Sequence, residues 1–282
     1  MDKLYNSVAT QCSTLVTRRY STSFSLSIRV LAKKFHEPIY SLYGFVRLAD
    51  EIVDTFHSQD KTALLGRFQE DTWEAIRTGV SLNPVLHAFQ MVVNRFQIDH
   101  SLIEAFFTSM EMDIHQKEYD LEKYETYVFG SAEVVGLMCL KVFVEGDMAQ
   151  YEKLKPSALR LGAAFQKVNF LRDLQADFVE RGRSYFPGIN ITQLDQENFD
   201  RILEEIDGDF RAAYPGMMQL PKGARAGVHL AFTYYRQLFY KIKGTSVSKL
   251  IDSRVRIHDI RKLVILARTY MRYSIQAAFF SI

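Results

Sequence analysis

A chain of 282 residues, 48% hydrophobic and 24% charged, has the balance of a folded globular protein and excludes a disordered one. Thirty-five basic against 33 acidic residues leave a net charge of +2, which excludes a general attraction for nucleic acid, so any ionic ligand must be met by local clusters. The two cysteines, Cys12 and Cys139, have no Cys or His partner at metal-ligand spacing and are expected to be buried free thiols in a reducing compartment.

Apolar residues recur at helical spacing almost throughout and no pair of strands joined by a hairpin turn is visible, so the expected class is all-α. Six prolines and fourteen glycines are scattered without a linker, which predicts one domain over residues 1–282. Residues 4–19 read as a first helix, amphipathic and without the continuous apolar run of an export signal.

The clearest helix is expected from Pro38 to Thr55, with Pro38 in its first turn. Leu42, Phe45, Val46, Ala49, Ile52, Val53 and Phe56 form its apolar face, and Tyr43, Arg47, Asp50 and Asp54 form a second stripe beside it. Asp50 and Asp54 therefore face the same way, and like charges at i, i+4 cost a few tenths of a kcal/mol in an isolated helix. A divalent cation would relieve that repulsion; a solvated acidic face is the plainer alternative.

Helices are expected next over about 61–78, 84–96, 99–118 and 121–145. The stretch from Tyr127 to Val144 approaches a membrane span in apolarity, but Glu133 and Lys141 interrupt it and Gly130 and Gly136 suggest close packing, so it reads as a buried core helix. A long helix over 151–181 carries Gln166, Asn169, Asp173 and Asp177 at i, i+3, i+7, i+11, a polar stripe within about 80° of arc. Leu161, Ala164, Val168, Leu171, Leu174 and Phe178 fill its other side. Further helices are expected over 195–206, 222–243 and 256–279. Asn83-Pro84, Lys155-Pro156, Arg181 to Gly188 and Tyr214 to Pro221 read as helix starts or turns, and Arg254 to His258 as a solvated helix entry.

Two helices that each carry Asp at i and i+4 can face one another across a bundle and hold several Mg²⁺ ions, with Mn²⁺ as a substitute. Such a clamp suits a diphosphate leaving group, whose developing charge the metal neutralises. Arg47, Arg172, Arg181 and Arg183 would donate to phosphate oxygens, although a surface ion pair is the ordinary role of any one arginine. An allylic cation formed there needs an apolar, aromatic cavity, for which 21 Phe and 15 Tyr supply material. No HExxH, GxSxG, Walker loop or GxGxxG is present.

At these clusters the sequence resembles the phytoene and squalene synthase family, the head-to-head isoprenyl diphosphate synthases. The resemblance rests on Tyr20-Ser-Thr-Ser-Phe24, on Leu42 to Asp54, and on Gln166 to Asp177 followed by Arg181-Gly-Arg183-Ser-Tyr-Phe-Pro187, with looser similarity at Tyr124 to Gly136, Tyr235 and Arg254 to Lys262. It implies an isoprenoid synthase bundle around a central cavity. It assigns Asp50, Asp54, Asn169, Asp173 and Asp177 to Mg²⁺ and diphosphate, makes the four aspartates and Tyr127 catalytic, and sets Ser21, Ser23, Arg47, Gln166, Arg172, Tyr235 and Arg254 against diphosphate or prenyl chain. The implied reaction joins two C20 diphosphates into phytoene through a cyclopropyl intermediate, on the way to carotenoids. The alternatives are C15 condensation to squalene, which consumes NADPH, or to dehydrosqualene, and a non-catalytic scaffold of the same fold. Substrate chemistry predicts a cytoplasmic protein that touches the inner face of the membrane.

Overall fold

A computed structural model describes residues 3–180, 182–189, 194–252, 255, 257, 264–269 and 273. Helices fill it in chain order: α1 (Lys3–Tyr20), α2 (Thr22–Val30), α3 (Lys33–Asp54), α4 (Lys61–Thr78), α5 (Pro84–Phe96), α6 (His100–His115), α7 (Leu121–Val128), α8 (Val134–Val144), α9 (Met148–Arg172), α10 (Gln196–Met218), α11 (Lys222–Lys243) and α12 (Val247–Asp252). Residues 264–269 are helical as well. The described residues contain no strand, only a single parallel bridge between Glu118 and Ser184.

Local chemistry explains many of the boundaries. Asp60, Asp120, Asp147 and Asp195 each accept a hydrogen bond from the backbone N–H three residues on, and Asn83 caps α5 with Pro84 at its first position. Gly79, at φ 75°, stops α4 in the left-handed conformation that glycine adopts without strain.

Three prolines behave differently from the expectation. α3 begins at Lys33, so Pro38 lies inside it; Pro156 lies inside α9; and α10 runs on through Pro215 to Met218 instead of ending near 206. Tertiary packing outweighs the lost N–H in each case. At Pro215 the neighbouring Gly216 is pressed onto Ser157 of α9, where any side chain would overlap it. Phe56, expected on the apolar stripe of α3, falls beyond the helix end and is 40% exposed. Val255 and Ile257 are buried and non-helical; Arg254, Arg256 and His258, expected at a solvated helix entry, lie outside the described residues, as does most of 256–279.

Phe45 of α3 anchors one part of the core: its ring stacks on Phe89 at 3.7 Å and meets Phe68, Phe106 and Phe107 from α4 and α6. α7 and α8 join through a π-helical turn, Phe129–Glu133, to form the stretch Leu121–Val144. This stretch is long and apolar enough to cross a membrane, yet it is 61% buried inside the fold, packed against α3, α6 and α9. Its glycines serve close packing as expected: a methyl group on Gly130 would overlap the Ala105 carbonyl, and one on Gly136 would sit 3.2 Å from that of Ala158. Cys12 and Cys139 are free and half-buried.

Candidate active site

α3 runs unbroken past Asp50 to Asp54, so the two carboxylates sit one turn apart and line a deep cavity together with Ile39, Leu42, Tyr43, Val46 and Arg47. Arg47 donates to Glu51 at 2.6 Å, lies 3.5 Å from Asp50, and rests over the Tyr20 ring at 4.4 Å. Its Nε is buried without a hydrogen-bond partner, a donor left for an anion. Burial pushes the Asp50 carboxyl up to about 7, with Asp54 and Asp113 adding to the effect and Arg47 opposing it.

The second pair stands on a different backbone. α9 stops at Arg172, Asp173 forms its C-cap at φ −101° and ψ 11°, and the chain continues into a π-helical turn, Ala176–Glu180. The expected unbroken helix over 151–181 is therefore corrected. Of the apolar stripe Leu171, Leu174 and Phe178, only Phe178 falls within the π turn, so periodicity did not register the change. Asp177 N–H still donates to the Asp173 carbonyl at 2.9 Å, which keeps the two aspartates a turn apart. Arg172 grips Asp173, its Nε 3.1 Å from each carboxylate oxygen.

Gln166 and Asn169 precede this pair on the cavity side of α9. Tyr235 of α11 donates to Asn169 Oδ1 at 3.2 Å and stacks its ring on Phe165 at 4.0 Å. Ser21 caps α2 by accepting from Phe24 N–H at 3.2 Å and also hydrogen-bonds Tyr43, whose phenol burial pushes up to about 12. Ser23 lines the same wall. Arg254 and Arg181 lie outside the described residues.

One acid was missed. Asp113 of α6 is 7% exposed and accepts from the Tyr127 hydroxyl at 2.7 Å and the Tyr185 hydroxyl at 2.9 Å. Arg183 lies 3.4 Å from Asp113 and 3.3 Å from Asp54, so it is a buried bridge and not the surface ion pair that was its ordinary expectation. Although burial works against its charge, Asp113, Tyr185 and Asp54 hold the guanidinium protonated. Burial raises both Asp113 and the Tyr127 phenol, so Tyr127 stays a neutral donor. The segment 182–185 reaches this spot because Ser184 N–H donates to Lys117 O at 2.8 Å, tying it to the end of α6. The signal for Asp113 was an acid on an apolar helix face, following Leu102, Phe106 and Met110 at helical spacing.

Away from the acidic end the cavity becomes apolar, with a volume of about 690 Å³. Tyr127, Ser131, Val135, Cys139 and Phe143 descend its wall every fourth residue, a run of about 24 Å at 1.5 Å per residue. Phe143 meets Phe35 edge to face at 5.5 Å.

Five aspartates, Asp50, Asp54, Asp113, Asp173 and Asp177, line the cavity against three arginines, Arg47, Arg172 and Arg183. An all-oxygen, net acidic donor set fits Mg²⁺ or Mn²⁺ better than softer metals. Among the described residues no three His, Cys, Asp or Glu side chains converge on one point. Such an ion would take one or two carboxylates and complete its shell with water and phosphate oxygen.

A helical bundle around one deep cavity, acidic at one end and apolar at the other, is the architecture of the isoprenoid synthase fold. The squalene/phytoene synthase family profile matches residues 17–261, and the chain belongs to that family. It is 26% identical to phytoene synthase 3 of Zea mays over 91% of this chain and 64% of that one, so it spans somewhat under two-thirds of that relative. It is 24% identical to the phytoene synthase of Arthrospira platensis over 91% of both. In fold it is similar to a dehydrosqualene synthase (TM-score 0.81, 19% identity, covering 95% and 98% of the two chains) and to the squalene synthase HpnC of Alicyclobacillus acidocaldarius (0.74, 18%, 86% and 96%).

Proposed function

We propose that this protein is a Mg²⁺-dependent prenyltransferase that condenses two C20 isoprenoid diphosphates head to head into phytoene, through a cyclopropyl diphosphate. The observation that carries the reading is the meeting, in one cavity, of two aspartate pairs from α3 and from the end of α9 at the mouth of an apolar tunnel. The relatives named as phytoene synthases favour C20 over C15 substrates.

When bound, the metal would neutralise charge on the departing diphosphate. Asp50, Asp54, Asp173 and Asp177, with Asn169, would hold it, and the unpartnered Nε of Arg47 is free to donate to a phosphate oxygen. The C1–O bond of one substrate breaks, the C2–C3 double bond of the second captures that carbon, and loss of a proton closes the cyclopropane. Loss of the second diphosphate, rearrangement and loss of a further proton give the product. Phe24, Tyr43, Phe165 and Tyr235 pack together along the wall, where their faces would shield the cations from water. Tyr127 and Tyr185 orient Asp113 and, through Arg183, fix Asp54.

The test is incubation of purified protein and Mg²⁺ with C20 or C15 diphosphates, with and without NADPH, and mass spectrometry of the products. Phytoene from the C20 substrate is expected. Squalene or dehydrosqualene from C15 alone would replace that assignment, and no condensation product from any mixture would leave a scaffold of this fold.

A further inference from the structure

α1 is built inside out. Its buried positions, on the side that packs against α3 and α5, are Ala9, Thr10, Ser13 and Thr17, all small and three of them hydroxylated. Gly44 of α3 approaches so closely that a side chain there would lie 2.9 Å from Ser13 Cβ. Three of its four larger aliphatic residues face outward, Leu4, Val8 and Leu15 being 70%, 43% and 57% exposed, while Val16 is half-buried. At about 100° per residue these three fall within roughly 40° of arc, a continuous stripe along the outside of the helix. Single exposed leucines are ordinary, but a helix that turns its small hydroxyl residues inward and most of its aliphatic ones outward reverses the usual amphipathic arrangement.

The surroundings of this stripe identify its partner. α1 carries no acidic residue; its charges are Lys3, Arg18 and Arg19, the two arginines flanking the stripe on opposite sides. α2 and α5, packed against it, add Arg29 and Arg95 and no acid, and the fully exposed charges of α3 are Lys33, Lys34 and Glu37. At its start, the Tyr5 hydroxyl donates to Ser81 O at 2.6 Å, fastening beside it a turn with Val80 and the 95% exposed Leu82. At its end, half-exposed Tyr20 forms part of the cavity wall under Arg47.

We propose that the outer face of α1 is a membrane-contact surface that seats on anionic lipid, inserting Leu4, Val8 and Leu15 between headgroups that Arg18 and Arg19 attract. The further consequence, that the Tyr20 end brings the cavity mouth to the bilayer in which a prenyl substrate dissolves, rests on the prenyltransferase reading. A stripe of three aliphatic side chains falls short of the roughly 800 Å² per partner that a stable dimer buries, whereas shallow insertion aided by basic residues gives reversible lipid binding.

Flotation of the full chain with vesicles of equal parts phosphatidylcholine and phosphatidylglycerol tests this. Binding that weakens with salt and is lost on pure phosphatidylcholine is expected. The Leu4→Gln/Leu15→Gln variant should bind about tenfold more weakly and Arg19→Gln about fivefold, with the helical circular dichroism and turnover of detergent-dispersed substrate unchanged. Arg18 also lies over the Tyr40 ring, so Arg19 is the cleaner site. Failure of the wild type to float, or equal flotation of the double variant, overturns the proposal. So does a wild-type self-association, seen by sedimentation, that the double variant loses without any vesicle binding. Flotation as expected from a protein that makes no condensation product would uphold the surface and sink the catalytic reading alone.

Discussion

Asp50 and Asp54 stand on an unbroken helix of 22 residues, whereas Asp173 caps a helix that has just ended and Asp177 lies in a π turn. The two pairs share one sequence spacing and differ in backbone. In the first, Asp50 meets Arg47 of its own helix while Asp54 meets Arg183, which arrives from beyond α9; in the second, Asp173 is held by its own neighbour, Arg172. Because Arg183 follows closely on the π turn, the irregular end of the α9 segment is also what neutralises part of the regular pair. The same DxxxD string thus yields one jaw on a regular helix and one on an irregular turn.

The comparison can be broken most severely by chemistry. Asp50→Asn and Asp173→Asn should each lower kcat/KM by about a thousandfold while the helical circular dichroism is retained, because each removes a charge needed only as diphosphate leaves. Full activity in either variant would remove that jaw from the clamp. Next, Arg183→Met should cost about 3 kcal/mol of stability in urea melts, since it leaves the buried Asp113 without its guanidinium and takes one partner from the half-buried Asp54.

A smaller effect comes from ligands. Mg²⁺ with inorganic diphosphate should raise the melting temperature by about 5 °C, equivalent to roughly 2 kcal/mol, and Mg²⁺ alone by much less. Equal shifts would mean that protein side chains alone complete a metal site. The smallest expected effect is a gain. A carboxyl whose folded pKa is raised to about 7 favours folding while protonated and disfavours it as pH climbs from about 4 through 7. Without divalent ions, Asp50→Asn should therefore be more stable than wild type at pH 8 by on the order of 1 kcal/mol, after screening by cavity water. The gain should vanish near pH 4, and a pH-independent difference in melting temperature would refute the assignment.

Where boundaries are set by local chemistry, the sequence was legible. α4, α5 and α11 match the expected spans because Asp60, Gly79, Asn83-Pro84 and Pro221 signal within a few residues of the ends they mark. Pro38 and Pro215 misled because their cost is local and the packing that outweighs it is not. α2, nine residues rich in hydroxyls, offered too short a periodic signal to be read as a helix. In the site, both aspartate stripes and their arginines were visible, since helical spacing alone puts them on one face. Asp113, Arg183 and Tyr185 form a network only because α6 and the segment after α9 are folded together, a contact across about 70 residues that no spacing records.

The π turn at Phe129–Glu133 carries one last consequence. Four-residue steps along an ordinary α-helix drift by about 40° each, so the five positions from Tyr127 to Phe143 would wind nearly half a turn away from the cavity. The wider turn takes back part of that drift. What this stretch demands is therefore a residue count as much as a composition. Deleting one residue from the turn would rotate Tyr127 by about 100° away from Asp113, disarming the network without altering the chemistry of any side chain in it.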